Sequence, residues 1–592
     1  MTVNIFGPFW PYLRPYRRKI ALGLALIALA QVVATAIPYA LKIAVDTLKE
    51  GFEARHQIPA FEQVILRDIL LYAGIILGLA LVQMGLQMAM RWYLNALSRY
   101  VEYDIRRDFF EHLLRLSLNY FHRTPTGDLI SRATNDVNAV RMFLGFGIRM
   151  LFDALLALAL GMAVMCAIDW QLALYALVPM PLLALLMNRV AAGIHVGFRD
   201  VQEQFSRISA RVQENLSGIR VVKAYVQREG EMAIFDRLNR EYLEKSRKLI
   251  HIESIIRPLA FMVSGASLVV ILWLGGERVL NGQLSLGDFV AFNAYLAKLI
   301  FPMILLGWMI DRYQRGMASM TRINEILSVQ PEIADSDTVR PVSDIRGEIS
   351  FQNMSFAYNG TPVLHNINLH IPSGSTLAVV GRVGSGKTTL GRLIPRLIQT
   401  DAGEVLIDGV PVADIPLQTL RAGIGYVPQE TFLFSDTLRE NIALGRPEAS
   451  EADVNWAAEA ARLSNDLQDF PLGLDTVVGE RGVTLSGGQK QRTALARAVI
   501  RRPEILILDD AMASVDTHTE EEILERLRGV MAERTTILIS HRISTVQGAD
   551  QIVVLDEGHI VEQGTHAELV ALEGIYAEMH RRQQLTQELD EI

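Results

Sequence analysis

The stretch "TLAVVGRVGSGKTTL" (376–390) decides the fold of the C-terminal part of the chain. It reads as an apolar strand, a glycine-rich turn and the start of a helix, and it matches the pattern G-x-x-x-x-G-K-[ST]. Such a turn wraps phosphates with backbone N–H groups, while the lysine carries a charge to them and the following threonine can ligate Mg²⁺. The predicted phosphate-binding residues are Gly381, Gly384, Ser385, Gly386, Lys387, Thr388 and Thr389.

A second apolar run, "ILILDD" (505–510), predicts another strand of the same sheet. Asp509 emerges at the end of that strand, where its carboxylate can hold Mg²⁺ through water. Asp510 is then expected to face the water that attacks the nucleotide. Together the two stretches predict an α/β P-loop nucleotidase that uses Mg²⁺, but they do not by themselves specify which nucleotidase it is.

The N-terminal half has a different composition. A chain of 592 residues is too long for one hydrophobic core, and its long apolar runs all lie in the first 320 residues or so. A helix needs about 20 apolar residues to cross a bilayer. Six segments approach that length, namely 20–42, 69–92, 147–168, 172–192, 255–277 and 287–310.

Basic residues predict the orientation of these spans. The stretches 93–146 and 193–253 are rich in arginine and lysine, so they are expected to lie in the cytoplasm as long helical arms. The same reasoning places both chain termini in the cytoplasm, on an inner membrane crossed several times. The aromatic and basic segment 9–19 suits an interfacial helix, and the proline-containing polar stretch 328–347 suits a linker.

Two global features exclude other classes of protein. The net charge of −8 comes with no concentrated basic face, so a nucleic-acid partner is not expected. Cys166 is the single cysteine, so no intrachain disulfide can form.

A third motif, "LSGGQKQR" (485–492), opens an alanine-rich helix, and with it the chain resembles the ATP-binding cassette (ABC) transporters. Further matches follow in the family's order. Tyr358 resembles the aromatic that stacks on adenine, Gln429 the Q-loop glutamine, "TVVGERG" (476–482) the X-loop of exporters, and His541 the switch histidine. In the membrane half, 119–137 and 220–231 resemble the intracellular loops of exporters.

The resemblance implies a half-transporter, which works as a dimer of two such chains. Its fold would be multidomain: an elbow helix (1–19), an all-α transmembrane domain with six helices (20–327), the linker, and an α/β cassette domain (348–592). In that family each ATP lies between the P-loop of one cassette and the signature segment of the other. That segment is Ser486, Gly487, Gly488 and Gln489 here.

The chain departs from the family at position 510. Most members have glutamate after the Mg²⁺ aspartate, to polarise the attacking water, and this chain has Asp510. The shorter side chain retracts the carboxylate by roughly 1.5 Å, and about 1 Å of misplacement can cost on the order of 10²-fold in rate. Ala513 also replaces a serine that is common in the D-loop. The alternative is that aspartate polarises the water adequately, because its acidity is close to that of glutamate and a flexible loop could move its carboxylate closer to the water.

The resemblance assigns catalysis to Asp510, His541 and Gln429, and Mg²⁺ to Thr388, Gln429 and Asp509. With the signature intact, we expect a degenerate-site subunit of a heterodimer, whose partner half-transporter carries the glutamate. Methionine-rich spans suggest export of lipophilic compounds, although such methionines more often fill gaps between helices. The polar residues that could line the path, or equally snorkel or cap a helix end, are Lys42, Asp46, Arg91, Asp153, Arg257, Asn293 and Lys298. Peptide or lipid export, a homodimer and a metal-chelate importer are the alternatives.

Overall fold

A computed structural model describes residues 7–53, 61–335, 339, 342, 344–479, 485–513 and 517–590. They form two compact units. The first lies within Met1–Leu113 and Thr126–Val329, and the second within Leu114–Pro125 and Gln330–Ile592. Leu114–Pro125 comes from the first predicted arm, yet it packs with the C-terminal residues.

The first unit is built from long helices. The seven longest are α1 (Arg17–Glu53), α2 (Phe61–Arg115), α3 (Ile148–Leu177), α4 (Pro179–Ser217), α5 (Arg228–Glu253), α6 (Ile256–Val270) and α7 (Leu286–Leu327). Short helical turns precede α1 at Trp10–Leu13 and connect the long helices at Thr126–Ser131, Val137–Met142, Ile219–Ala224 and Gly276–Leu280.

Several of these helices meet the length and hydropathy that a membrane span requires. Among the described residues, three continuous helical stretches do so: Gly7–Glu53, Leu66–Arg115 and Thr126–Leu177. The other predicted spans fall mainly on α4, α6 and α7, where some side chains, including that of Arg257, lie outside the described set. The first unit is therefore a transmembrane helical domain.

The third and fourth predicted spans, 147–168 and 172–192, are separated by residues 169–171, and the helix is interrupted at Asp169. Asp169 has extended backbone angles (φ −158°, ψ 107°) inside the helical stretch of α3. Its Oδ1 accepts hydrogen bonds from the N–H groups of Gln171 and Leu172, both at 3.0 Å. An aspartate in this position caps the helix that follows, so the chain changes direction within the predicted connection 169–171.

Helices α1 and α7 join closely where the sequence predicts the outer side of the membrane. Lys42 pairs with Asp288 at 2.6 Å, and Asp46 accepts hydrogen bonds from Ser285 Oγ and from the Gly287 N–H, both at 2.8 Å. A Cβ at position 287 would lie 2.3 Å from the Lys42 carbonyl oxygen, so only glycine permits this approach. Lys42 and Asp46 thus have structural roles at this junction, where Lys42 forms an ion pair and Asp46 accepts two hydrogen bonds.

The second unit holds two sheets. Its strands are β1 (Ile349–Tyr358), β2 (Thr361–Ile371), β3 (Thr376–Gly381), β4 (Ala402–Ile407), β5 (Val410–Pro411), β6 (Ile424–Val427), β7 (Ile505–Asp509), β8 (Thr535–Ile539), β9 (Gln551–Asp556) and β10 (His559–Gly564). One sheet has the order β2-β1-β4-β5 and is antiparallel. The other has the order β10-β9-β3-β8-β7-β6, in which all pairs except β10 with β9 are parallel.

The central strands of the parallel sheet are covered on both faces, whereas β10 at its edge is partly exposed. Strands β7 and β8 are buried at every residue, which suits near-continuous apolar runs with helices on both faces. The main helices of this unit are α8 (Lys387–Leu393), α9 (Gly487–Val499), α10 (Thr517–Met531) and α11 (Ile575–Asp590). Because the carboxyl ends of parallel strands meet at one edge, β3 and β7 bring the P-loop and Asp509 together.

A two-residue turn links β1 to β2 next to this edge. Tyr358 pairs with Thr361, and the intervening Asn359 and Gly360 have φ of +50° and +82°. Asn-Gly with two positive φ values is the preferred type I′ hairpin turn. Arg123, from the short helix Leu118–Arg123, donates a hydrogen bond to the Asn359 side chain, so this segment of the first arm holds the tip of the hairpin.

Candidate nucleotide site

The P-loop has the backbone that phosphate binding requires. Gly381 ends β3 with φ +149°, and a Cβ there would lie 2.0 Å from the Leu555 carbonyl oxygen. Gly386 caps α8 in the left-handed conformation (φ +101°), where a Cβ would meet Leu364 at 2.6 Å. Gly384 also has a positive φ, and open space lies around it. The loop can therefore present its N–H groups to an anion without side-chain obstruction.

Lys387 and Ser385 complete the loop. The Lys387 ammonium donates hydrogen bonds to the carbonyl oxygens of Gly381 and Arg382, both at 2.8 Å. Burial lowers the pKa of Lys387, and the neighbouring carboxylates of Asp510 and Asp509 oppose that shift. A desolvated ammonium gains more from a phosphate than an exposed one. The Ser385 hydroxyl is buried and has no hydrogen-bond partner among the described residues, so it is available to a phosphate oxygen.

Asp509 and Thr388 form an oxygen-rich pair beneath the loop. Thr388 Oγ1 donates to Asp509 Oδ1 at 3.0 Å, and the Tyr426 hydroxyl donates to Oδ2 at 3.2 Å. Burial raises the pKa of Asp509, and these two hydrogen bonds oppose the rise. Among the described residues, no group of three or more His, Cys, Asp or Glu could hold a metal ion alone. One hydroxyl and one carboxylate beside phosphate oxygens suit Mg²⁺, which keeps water ligands and rarely uses an all-protein cage.

The three candidate catalytic residues converge on one carboxylate. His541 Nδ1 lies 2.8 Å from Asp510 Oδ1, and Gln429 Nε2 donates to Asp510 Oδ2 at 3.3 Å. Asp510 has a left-handed backbone (φ +49°), and its N–H donates to the Ile539 carbonyl across the sheet at 2.8 Å. Aspartate tolerates this conformation better than most residues do. Both carboxylate oxygens of Asp510 are thus occupied by neighbouring side chains.

The signature segment opens α9 with a capping box. Ser486 Oγ accepts from the Gln489 N–H at 3.3 Å, and Gln489 Oε1 accepts from the Ser486 N–H at 3.0 Å. Ser486 and Gly487 are exposed at the helix N-terminus, while Gly488 is buried. Helix α9 packs against β6 and the helices Leu438–Ala443 and Glu451–Ala460, whereas α8 packs against β2, β3, β7 and β8. The signature therefore lies on a different part of the unit from the P-loop.

Tyr358 stands at the end of β1, beside the hairpin turn. Its ring is half-buried and packs edge-on against Phe356, with centroids 4.7 Å apart. The prediction that this ring stacks on adenine stays a prediction. Two other predicted segments fall partly outside the described residues: Glu480, Arg481 and Gly482 of the X-loop, and Ser514, Val515 and Asp516 of the D-loop. Ala513 is described, and its N–H donates to the Asp510 carbonyl at 3.2 Å.

The structure shows hydrogen bonds to the loop that carries His541, here called the switch loop, which the sequence does not reveal. Gln583 of α11 accepts the Ile543 N–H at 2.7 Å and donates to the His541 carbonyl oxygen at 2.5 Å. From the other side, Glu520 of α10 pairs with Arg542. One amide thus holds the backbone on both sides of Arg542. Gln583 lies in a polar helix with no distinguishing pattern, so only the tertiary structure identifies it.

We predict that Gln583→Met lowers kcat for ATP hydrolysis by about tenfold or more, because it frees the loop that carries His541. The KM for ATP should stay unchanged, since the P-loop is not touched. Steady-state kinetics of the purified chain, with and without Asp510→Glu, measure this. Gln584→Met, on the exposed neighbour, is the matched control. Equal losses in both variants, or a change in KM alone, would contradict the role of Gln583.

Two family models and several known proteins match this chain. The family model described as "ABC transporter transmembrane region" matches residues 20–303, and that described as "ABC transporter" matches residues 364–513. A probable multidrug resistance ABC transporter ATP-binding/permease protein, YheI of Bacillus subtilis, is 36% identical over 97% of both chains.

Two further relatives and one solved structure are similar over almost the whole length. The multidrug resistance-like ATP-binding protein MdlA of Escherichia coli is 35% identical over 98% of this chain and 97% of its own. An ATP-dependent lipid A-core flippase of Syntrophus aciditrophicus is 35% identical, covering 98% and 95%. The structure of a bacterial Atm1-family ABC exporter with ATP bound is 28% identical with a TM-score of 0.78, covering 96% of this chain and 98% of that one.

Proposed function

The chain belongs to the ABC transporter family, and from that premise we propose that it is the slow-site subunit of a heterodimeric exporter. It is an exporter of the multidrug or lipid-flippase type, and its ATPase is coupled to transport. It is also a multi-pass protein of the inner membrane. The proposal assigns slow ATP hydrolysis to this chain's own site and assigns its signature segment to the ATP site of a second chain.

In the proposed site, phosphates lie on the loop from Gly381 to Thr389. Lys387 exchanges its carbonyl partners for phosphate oxygens, and the Ser385 hydroxyl gains a partner. Thr388 and Asp509, with Gln429 as predicted from the sequence, would hold Mg²⁺, which would supply charge neutralisation to the phosphates. The protein oxygens at this site suit Mg²⁺, and the Lys387 cation suits the phosphates of ATP.

The observation that carries the proposal is the position of Asp510. A residue that polarises water must reach it while the water stays in line with the γ-phosphorus. The Asp510 carboxylate is one methylene shorter than that of glutamate, and His541 and Gln429 hold both of its oxygens. Advancing it would break these contacts and distort the left-handed backbone. We therefore assign this site slow hydrolysis together with normal ATP binding.

The signature segment supports the proposal that this chain completes the ATP site of a second chain. Ser486 and the N–H groups of Gly487 and Gly488 stand at a helix N-terminus, which suits a γ-phosphate. Helix α9, which they begin, packs on different elements of the unit from α8, the helix that begins with Lys387. A partner's P-loop is the natural recipient, and a partner with glutamate at the position of Asp510 would hydrolyse the ATP held there.

Orientation completes the proposal. The basic stretches 93–146 and 193–253 support a cytoplasmic position for the arms, with the cassette and both termini on the same side. The contact of Leu118–Arg123 with the hairpin that carries Tyr358 is consistent with an arm that meets its own cassette. ATP-driven changes in the cassette can then be relayed to the spans.

Native mass spectrometry of the assembly purified from its own membrane through a tag on this chain tests the pairing. We expect one copy of this chain with one copy of a second ABC half-transporter that has glutamate after its Mg²⁺ aspartate. An assembly of two identical copies, or a partner that also carries aspartate there, would contradict the proposal.

A further inference from the structure

The segment that leads into α1 has two different sides. The chain is helical from Gly7 to Glu53. Phe9 and Leu13 are buried on one side, where the Phe9 ring packs against Phe143 with centroids 5.4 Å apart. This side fixes the segment to the first unit. The exposed side chains on the other side are those of Trp10, Arg14, Arg17 and Arg18.

The exposed side continues along α1, where it changes from basic to apolar. Residues three or four positions apart share one side of a helix. From Arg18 this spacing leads to four exposed residues, namely Leu22, Ala25, Leu29 and Val32. We call Trp10, Arg14, Arg17, Arg18 and these four residues the α1 stripe. It belongs to a helical stretch with the length and hydropathy of a membrane span.

The apolar part of the stripe matches the depth of one bilayer leaflet. Leu29 follows Arg18 by 11 residues, which is about 17 Å along a helix. The hydrocarbon of one leaflet is about 15 Å deep. When Leu22 to Leu29 contact the lipid tails of one leaflet, the three arginines therefore lie at the level of its head groups. The exposed indole of Trp10 is also typical of that interface.

No described residue compensates the charge of the three arginines in the α1 stripe. Their guanidinium groups form no ion pair or hydrogen bond with any part of the chain that the structure describes. Carboxylates of α2 on the packed side have other partners. Asp104 accepts a hydrogen bond from the Tyr16 hydroxyl at 2.8 Å, and Asp108 pairs with Arg107 at 3.0 Å. The donors of three guanidinium groups are thus open to a ligand.

Lys19 shows how a cation of the same segment is satisfied within the protein. Its ammonium lies over the rings of Tyr16 and Tyr100, at 5.6 and 4.6 Å from their centroids. Such rings attract a cation. The guanidinium groups of the α1 stripe are exposed instead. Guanidinium forks bind pairs of phosphate oxygens, and the phosphates at head-group depth are those of lipids.

We propose that the α1 stripe binds an acidic phospholipid, whose phosphate contacts Arg14, Arg17 and Arg18 and whose acyl chains lie along Leu22 to Leu29. A head group with net negative charge is preferred, because the three guanidinium groups repel the ammonium of a zwitterionic lipid. The bound lipid is a ligand on the exposed side of α1 and is not cargo. The inference goes beyond the proposed exporter function, and it depends neither on ATP nor on a second chain.

Native mass spectrometry of the full chain in detergent, titrated with one phospholipid at a time, tests the proposal. The probes are phosphatidylglycerol and phosphatidylcholine with the same palmitoyl and oleoyl chains, so they differ only in the head group. We expect the first phosphatidylglycerol to bind at least about tenfold more tightly, because each arginine near an acidic lipid contributes roughly fivefold. Arg14→Gln with Arg17→Gln and Arg18→Gln should reduce its affinity to that of phosphatidylcholine.

The matched control removes the same three positive charges from the predicted second arm. It combines Arg220→Gln, Lys223→Gln and Arg228→Gln, all at exposed side chains, and it should leave both affinities unchanged. Retained phosphatidylcholine binding shows that each variant is folded. Equal affinity of the two lipids for the unmodified chain, or an equal loss of selectivity in both triple variants, would overturn the proposal.

Photocrosslinking locates the lipid without any substitution. Phosphatidylglycerol that carries a diazirine near the top of one acyl chain is bound to the unmodified chain and activated by light, and the labelled peptides are identified by mass spectrometry. We expect the label between Trp10 and Leu29, and we expect 0.5 M NaCl to reduce it, because salt screens exposed charges. Label confined to other helices would overturn the assignment of the lipid to the α1 stripe.

Discussion

Asp510→Glu is expected to raise the ATP turnover of this chain, purified as a dimer with a second copy of itself, by on the order of 10²-fold. The longer side chain restores roughly 1.5 Å of reach toward the γ-phosphate. His541 and Gln429, which now hold the Asp510 carboxylate, stay in place beside it. The KM for ATP should change little, because Lys387, Thr388 and Asp509 are untouched. Steady-state hydrolysis of Mg-ATP by the two proteins measures the effect.

The control addresses backbone strain. Glutamate at φ +49° costs on the order of 1 kcal/mol more than at an ordinary position. Asp408 has a similar left-handed backbone (φ +52°) in the same unit, outside the nucleotide site. Asp408→Glu should lower thermal stability at least as much, because the Asp408 carboxylate also accepts hydrogen bonds from the N–H groups of Arg346, Gly347 and Glu348, and it should leave turnover unchanged. Turnover of the unmodified chain that equals that of Asp510→Glu would show that aspartate is adequate and would remove the slow-site argument.

Ser486→Ala should have the second large effect, on the assembled pair of chains. The Ser486 hydroxyl is proposed to donate to the γ-phosphate held by the partner, and loss of one such donor costs about 10²- to 10³-fold in kcat. Lys387→Ala in the same chain should reduce turnover by a much smaller factor, because it affects the site that already hydrolyses slowly. The ratio of the two losses, measured as ATP turnover of the assembly, reports the asymmetry.

Loss of a helix cap must be separated from loss of the donor. Ser486 caps α9 in a capping box, so Ser486→Ala also weakens that helix end. Ser450 caps Glu451–Ala460 through the same type of box with Asp453. Ser450→Ala should therefore reproduce the stability cost without the loss of turnover. Comparable losses from Ser486→Ala and Lys387→Ala would indicate two equivalent sites.

Local pattern was sufficient to predict much of the cassette and the class of protein. The apolar run before Gly381 and the run before Asp509 predict two strands of the same sheet. The structure has β8 between them and places Thr388 Oγ1 3.0 Å from Asp509 Oδ1 at the carboxyl edge of that sheet. Asn359-Gly360 carries the sequence signature of a tight hairpin. These features depend on residues close together in the chain or on the rule that parallel strands align their carboxyl ends.

Long-range contacts could not be predicted in the same way. Nothing in the sequence indicates that Gln583 lies against the switch loop some 40 residues earlier, or that Leu118–Arg123 packs with the second unit. The polar residues of the spans were equally ambiguous. Lys42 proved to be paired with Asp288, whereas the Lys298 ammonium lies 3.4 Å from the Thr35 hydroxyl oxygen on α1. Whether each lysine finds a carboxylate depends on how the helices pack, and a short stretch of sequence does not determine that packing.

The fate of the γ-phosphate on each chain tests the central claim most directly. The native assembly is allowed to turn over ATP labelled at the γ-phosphate and bearing a photoreactive base, and it is then crosslinked by light. The account predicts that the label stays on this chain, whose site keeps ATP intact, and disappears from the partner. Loss of the label from this chain at the same rate as from the partner would contradict the account.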